Sequence, residues 1–148
     1  MKLKRFISLV VVALFIICGC TTSKIHKAAS YQNAKDLKQA IADGADVNET
    51  DRNGWTPLMV AAYYNSLPIV KILISHDADL DHQNNEGKTA LIYAAYYGYE
   101  KLAEYLVLKG ASVNLVDNRG YNALDYAEMY SRTKMIEMLK AHGAKPVI

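Results

Sequence analysis

The chain has 148 residues, 51% of them hydrophobic and 22% charged, the ordinary balance of one globular domain. Its formal charge of +2 includes Lys2, Lys4 and Arg5, and without these three it falls to −1. A near-neutral domain with no basic stripe gives no electrostatic footprint for nucleic acid.

The chain opens on a basic start (Lys2, Lys4, Arg5), a twelve-residue apolar run from Phe6 to Ile17, and Cys18-Gly19-Cys20. The run is too short to cross about 30 Å of hydrocarbon at about 1.5 Å per residue, so it predicts an export signal. Ile17-Cys18-Gly19-Cys20 resembles a bacterial lipobox, with small Gly19 before the acceptor cysteine. The resemblance implies cleavage after residue 19, acylation of Cys20 and anchoring through several acyl chains. Thr21 follows instead of Asp, which implies an outer-membrane protein facing the periplasm. Residues 1–19 are then the signal, 20–23 the lipidated cysteine and tether, and 24–148 the folded domain. With Cys18 removed and Cys20 acylated, no thiol is left for a disulfide, a nucleophile or a metal.

From here the sequence repeats itself. Gly54, Gly87 and Gly120 stand thirty-three residues apart, as do Ala61, Ala94 and Ala127. Ala45, Ala78, Ala111 and Ala144 mark four ends in the same register. A period this strict belongs to the architecture. The units run about 24–50, 51–83, 84–116 and 117–144. The first supplies two helices with a polar outer face (Lys35, Asp36, Lys38, Gln39), as suits a terminal unit. In the second, Thr56-Pro57 opens an inner helix, Asn65 takes a left-handed turn, and Ile69, Val70, Leu73 and Ile74 bury an outer helix. The third repeats this with Leu91, Ala94, Ala95, Leu102, Ala103, Leu106 and Val107. The fourth carries Asp125, Glu128 and Lys140 where a fifth unit would pack, and so predicts a C-terminal cap. Lys145 to Ile148 form a short tail.

The period and the phrases GWTPLMVAA, GKTALIYAA and KGASVN resemble the ankyrin repeat family, over roughly Ser23 to Ala144. The resemblance implies an all-α repeat solenoid, an array of about four helix-loop-helix repeats with short β-hairpin fingers, which binds proteins and does not catalyse. Two departures qualify it. The histidine of the family's Thr-Pro-Leu-His is Met59, Ile92 and Asp125 here, so its hydrogen bonds between repeats are expected to be missing. Ser131 stands at a left-handed turn, which is expected to be irregular.

The residues suggest no site for chemistry. Asp77, Asp79 and Asp81 have the opening spacing of a calcium loop, but His82 and Lys88 stand where Gly and a bidentate Glu are needed. His76, Asp79, Asp81 and His82 lack metal-site spacing. No phosphate loop or nucleophile motif occurs. The expectation is no enzyme, no cofactor, no metal, no small-molecule substrate and a monomer.

The resemblance places finger tips and inner-helix ends on one concave surface. Its partner-binding candidates are Trp55, Tyr63, Tyr64, Lys88, Tyr96, Tyr97, Arg119, Tyr121 and Tyr130, with Tyr64, Tyr97 and Tyr130 aligned as a wall. Tyrosine and tryptophan offer large contact area at small entropic cost and dominate binding hot spots. The competing reading is that the rings pack repeat on repeat. Tyr93, Tyr105 and Tyr126 fall at interior or outer-helix positions and read as structural. The expected function is an envelope-anchored interaction module with an unknown protein partner. Alternatives are a periplasmic inhibitor or immunity protein against a toxin enzyme, or a structural envelope lipoprotein.

Overall fold

A computed structural model describes residues 23–147. Cys20 and the stretch expected to be an export signal lie outside the described residues. Eight helices follow in four antiparallel pairs: α1 Lys24–Ser30 with α2 Ala34–Ala42, α3 Pro57–Tyr63 with α4 Leu67–Ile74, α5 Ala90–Tyr97 with α6 Glu100–Leu108, and α7 Ala123–Met129 with α8 Thr133–Ala141. The inner helices α1, α3, α5 and α7 stack in one continuous row, while α2 touches α4 and α6 touches α8 behind them.

Each inner helix after the first starts at a capping side chain. Thr56 and Thr89 accept from the N–H groups of Met59 and Ile92, and Pro57 at the first turn gives up no needed donor. Asn122 caps α7, and Asp125 returns the bond to the Asn122 N–H. The alanine pairs explain the close row: Ala29, Ala61, Ala62, Ala94, Ala95 and Ala127 are wholly buried. Between the rows lie Ile25, Leu37, Leu58, Ile69, Leu73, Leu91, Leu102, Leu106, Leu124 and Leu139, each hidden from solvent and contributing about 1.5–3 kcal/mol.

Four left-handed residues turn the chain from inner to outer helix: Gln32, Asn65, Gly98 and Ser131, at φ 55°, 55°, 77° and 53°. The Ser131 turn is regular, contrary to the expectation from its side chain. Its N–H and that of Arg132 bond to Glu128 O and Ala127 O, as Asn65 and Ser66 bond to Ala62 O and Ala61 O. Two backbone hydrogen bonds hold each turn, and they offset the modest cost of a left-handed serine.

A polar ladder joins the loops behind the outer helices. Asn48 accepts from the Asp79 N–H and donates to Asp77 O; Asn114 accepts from the Lys145 N–H and donates to Gly143 O. Asp81, between them, has no N–H to give, and takes the Ser112 N–H and hydroxyl instead.

The fingers contain no strand among the described residues, so the expected β-hairpins are single closed turns. The Oδ1 atoms of Asp51, Asn84 and Asp117 each accept two backbone N–H groups of their own finger, from the residues two and four positions on. Those N–H groups are thereby withdrawn from any cross-strand ladder. Fingers also bond to one another: Asn85 N–H to Asn53 O, and Asn118 N–H to Glu86 O.

One expectation is corrected at the start of the array, and the other end adds a contact. The histidine bond between repeats is present at the first junction, where His26 Nε2 meets Trp55 O at 2.7 Å. His26 stands thirty-three residues before Met59, in a unit that lacks the Thr-Pro-Leu phrase, so no phrase marks it. At the other end the short tail folds back over α7. Lys145 O accepts from Asn122 Nδ2 at 2.7 Å, and Asp125 Oδ1 accepts the Val147 N–H. Asp125 is therefore buried beneath the tail, while Glu128 and Lys140 pair at the surface at 2.9 Å.

Candidate functional site

The inner-helix ends and fingers carry a connected set of aromatic rings. Trp55 lies 4.6 Å from Tyr93 and 5.6 Å from Tyr63 between ring centroids. Tyr63 meets Tyr64 at 5.2 Å and Tyr97 at 5.3 Å, both edge to face. Tyr97 meets Tyr96 at 4.9 Å, and Tyr96 meets Tyr130 at 5.2 Å and Tyr126 at 5.5 Å. Tyr121 closes the set against Tyr126 at 5.7 Å. The ladder therefore runs as a zigzag, Tyr64, Tyr63, Tyr97, Tyr96, Tyr130, with each step between repeats diagonal. The expected straight wall of Tyr64, Tyr97 and Tyr130 is not formed by direct ring contact.

Exposure divides the rings. Tyr63, Tyr64, Tyr97 and Tyr130 are 36–48% exposed, whereas Trp55, Tyr96 and Tyr121 are half-buried. Tyr93 and Tyr126 are buried, as structural tyrosines should be, and each phenol is tied to a finger. Asn84 Nδ2 donates to the Tyr93 hydroxyl at 2.9 Å, and the Tyr126 hydroxyl donates to Asp117 Oδ2 at 2.6 Å. Tyr105 is half-buried on α6, between the ammonium groups of Lys71 and Lys109.

The charged candidates differ. Lys88 is half-buried, bonded to Glu86 at 2.8 Å, with its ammonium 5.6 Å and 5.9 Å from the rings of Tyr93 and Tyr96. It belongs to the aromatic set as an internal cation. Arg119 is exposed at its finger tip and joins neither the rings nor an ion pair among the described residues. Tyr31 also stands apart at 75% exposed.

Residue reasoning missed Tyr99, whose ring stacks on Tyr97 at 5.6 Å with an interplanar angle of 20°. Its repeat counterparts are Ser66 and Arg132, so periodicity carried no aromatic signal there. It also missed a groove of about 650 Å³ between the first two inner helices and the fingers, floored by His26, Asp51, Trp55 and Val60.

Four of the phenols hold their protons more tightly than a free tyrosine. Burial pushes Tyr93 and Tyr97 up to about 12, in Tyr97 with help from the neighbouring Tyr63 hydroxyl. Burial and the bond to Asp117 raise Tyr126 further, and Tyr130 is raised chiefly by the Tyr96 hydroxyl. Such rings offer donors and faces for contact rather than a base or nucleophile. Both histidines and two of the aspartates near 76–82 are engaged with backbone groups, some in a neighbouring repeat. His76 Nδ1 faces Ile72 O, His82 Nε2 faces Gly54 O, and Asp79 accepts the Asp81 N–H. Among the described residues no three His, Cys, Asp or Glu side chains gather as a metal site would require.

Comparison with protein families gives one match, to the model described as ankyrin repeats (3 copies), over residues 25–117. A search of curated proteins found no match. The matched span covers the first three helix pairs apart from the first residue of α1, and the fourth pair continues the same stacking. Arrays of this kind are generally protein–protein interaction modules and are typically noncatalytic. The chain therefore belongs to the ankyrin repeat family.

Proposed function

We propose that this chain is a noncatalytic interaction module of the bacterial envelope, held by a lipid on Cys20 and binding a protein on its concave aromatic face. The observation that supports it is the row of Tyr63, Tyr64, Tyr97 and Tyr130, all partly open to solvent on one side of the inner helices. Core packing is already supplied by alanine and leucine, so this exposed aromatic area is available to a partner. Tyr64 is the best probe because only Tyr63 touches its ring. Tyr64→Ala should weaken a partner recovered by cross-linking in cells by about 1–4 kcal/mol, while Lys101→Ala on the outer helix should leave affinity unchanged. Equal affinities in calorimetry would move the partner elsewhere.

The anchor has its own test. Cys20→Ser should abolish incorporation of a radioactive fatty acid, and label persisting on that variant would remove the lipoprotein reading. A second reading, a structural envelope protein, draws support from the ring contacts that join successive repeats. On that reading Tyr64→Ala changes no interaction in the cell.

A further inference from the structure

We propose that the groove between the first two repeats is a pocket for one arginine side chain of the protein partner. This rests on the concave interaction reading and specifies the chemistry at one point of that surface. The groove exists because the tyrosine at its repeat position is missing. Tyr93 and Tyr126 occupy that position in the third and fourth units and tie their hydroxyls to Asn84 and Asp117. Thirty-three residues before Tyr93 stands Val60, which lines the groove and has no hydroxyl to reach Asp51.

What remains is a set of acceptors without donors. Asp51 Oδ1 holds its own finger, and among the described residues no hydrogen bond or ion pair reaches Oδ2. Ser30 donates its hydroxyl proton to Lys27 O and keeps only acceptor capacity. A carbonyl can only accept, so His26 carries its proton on Nε2 toward Trp55 O, which leaves Nδ1 buried with no donor. Trp55, Tyr63 and Tyr64 supply ring faces beside them. The other carboxylate in the lining, Glu86, is already paired with Lys88, and none of the lining residues is Lys or Arg. A guanidinium has five N–H donors, no acceptor, and a plane that stacks on aromatic faces. It can pair with Asp51 Oδ2 and the Ser30 oxygen and stack on the rings, whereas a carboxylate or an alkyl group brings these acceptors no donor.

Trp55 is the single tryptophan of the sequence and reports occupancy directly. The full chain, in detergent micelles, is titrated with N-acetylarginine amide and with the corresponding norleucine, glutamate and tyrosine amides, while Trp55 fluorescence is followed. The arginine probe should give a saturable change and the other three none. Asp51→Asn preserves the finger, since Asn84 does the same work one repeat later, and should lower arginine affinity about tenfold. Val60→Tyr restores the repeat's own residue and should abolish the response while raising the melting temperature. No saturable response to arginine, an equal or stronger response to another probe, or undiminished binding in both variants would overturn the pocket. Tyr64→Ala losing the cellular partner while arginine fails to bind would remove the pocket and leave the concave face intact as the docking surface.

Discussion

The same thirty-three-residue step builds two ladders, one in the loops after the outer helices and one along the inner helices, and they differ in what they satisfy. Behind the outer helices, Asn48, Asp81 and Asn114 bond to backbone groups of the next loop. Those groups have fixed positions, but the bonds are exposed to water, so each adds only about 1 kcal/mol to the junction it spans. On the inner side the tyrosines touch mainly other rings and satisfy few backbone groups, and half of them remain open to water. One periodic feature ties loop to loop, and the other leaves aromatic surface open to solvent. Both readings of the tyrosines survive in part: Tyr97 is packed by three rings, Tyr64 and Tyr130 by one each.

Beneath both ladders lies the inner-helix row, where the largest effect is expected. Ala94→Asp places an unpaired carboxylate at a wholly buried site and should cost at least about 3 kcal/mol. Loss of cooperative melting in circular dichroism is the readout; an unchanged melting temperature would show that the row tolerates charge.

Next come the fingers. A Cβ at Gly87 would lie 2.7 Å from the Asn118 N atom of the following finger, whereas one at Gly120 meets nothing within 4 Å. Both glycines have positive φ, so each alanine substitution costs about 1–2 kcal/mol for the backbone alone. Gly87→Ala adds an overpacking cost of about 1–3 kcal/mol, which Gly120→Ala escapes because its Cβ meets no neighbour. Equal destabilisation in urea melts would mean that finger stacking contributes nothing.

The tyrosines sharpen the comparison directly. Each edge contact is worth about 0.5–1.5 kcal/mol, so Tyr97→Ala should cost about 2 kcal/mol and Tyr130→Ala less than about 1 kcal/mol. Identical small losses would make the whole strip surface. Asn114→Ala removes two exposed loop bonds and should cost about 1 kcal/mol, measured as a shift of the urea midpoint without a change in slope.

The smallest effect is one of pH. Tyr93 and Tyr97 titrate near 12 in the folded chain against about 10 when unfolded, so the unfolded state loses its phenolic protons first. Their contribution is fully present below pH about 10 and disappears as the pH rises through about 12. Tyr97→Phe should flatten this alkaline loss, and a parallel profile would assign it to other groups.

Residues determined by themselves whatever depends on near neighbours in the chain. The repeat register, the Thr56 and Thr89 caps, the left-handed turn at Asn65 and the buried alanines all follow from spacing and local backbone chemistry. Even Ser131 obeyed, because the two hydrogen bonds of its turn outweigh its own preference. Tertiary structure decided what depends on the offset between stacked units. Successive repeats meet so that Tyr63 faces Tyr97 rather than Tyr96, which no counting by thirty-three can reveal. It also brought the tail over Asp125, set His26 against Trp55, and turned the absence of one tyrosine at Val60 into a groove. Contacts between units are set by rigid packing across the solenoid, and a side chain that is missing leaves a gap only when its neighbours are too well held to close it.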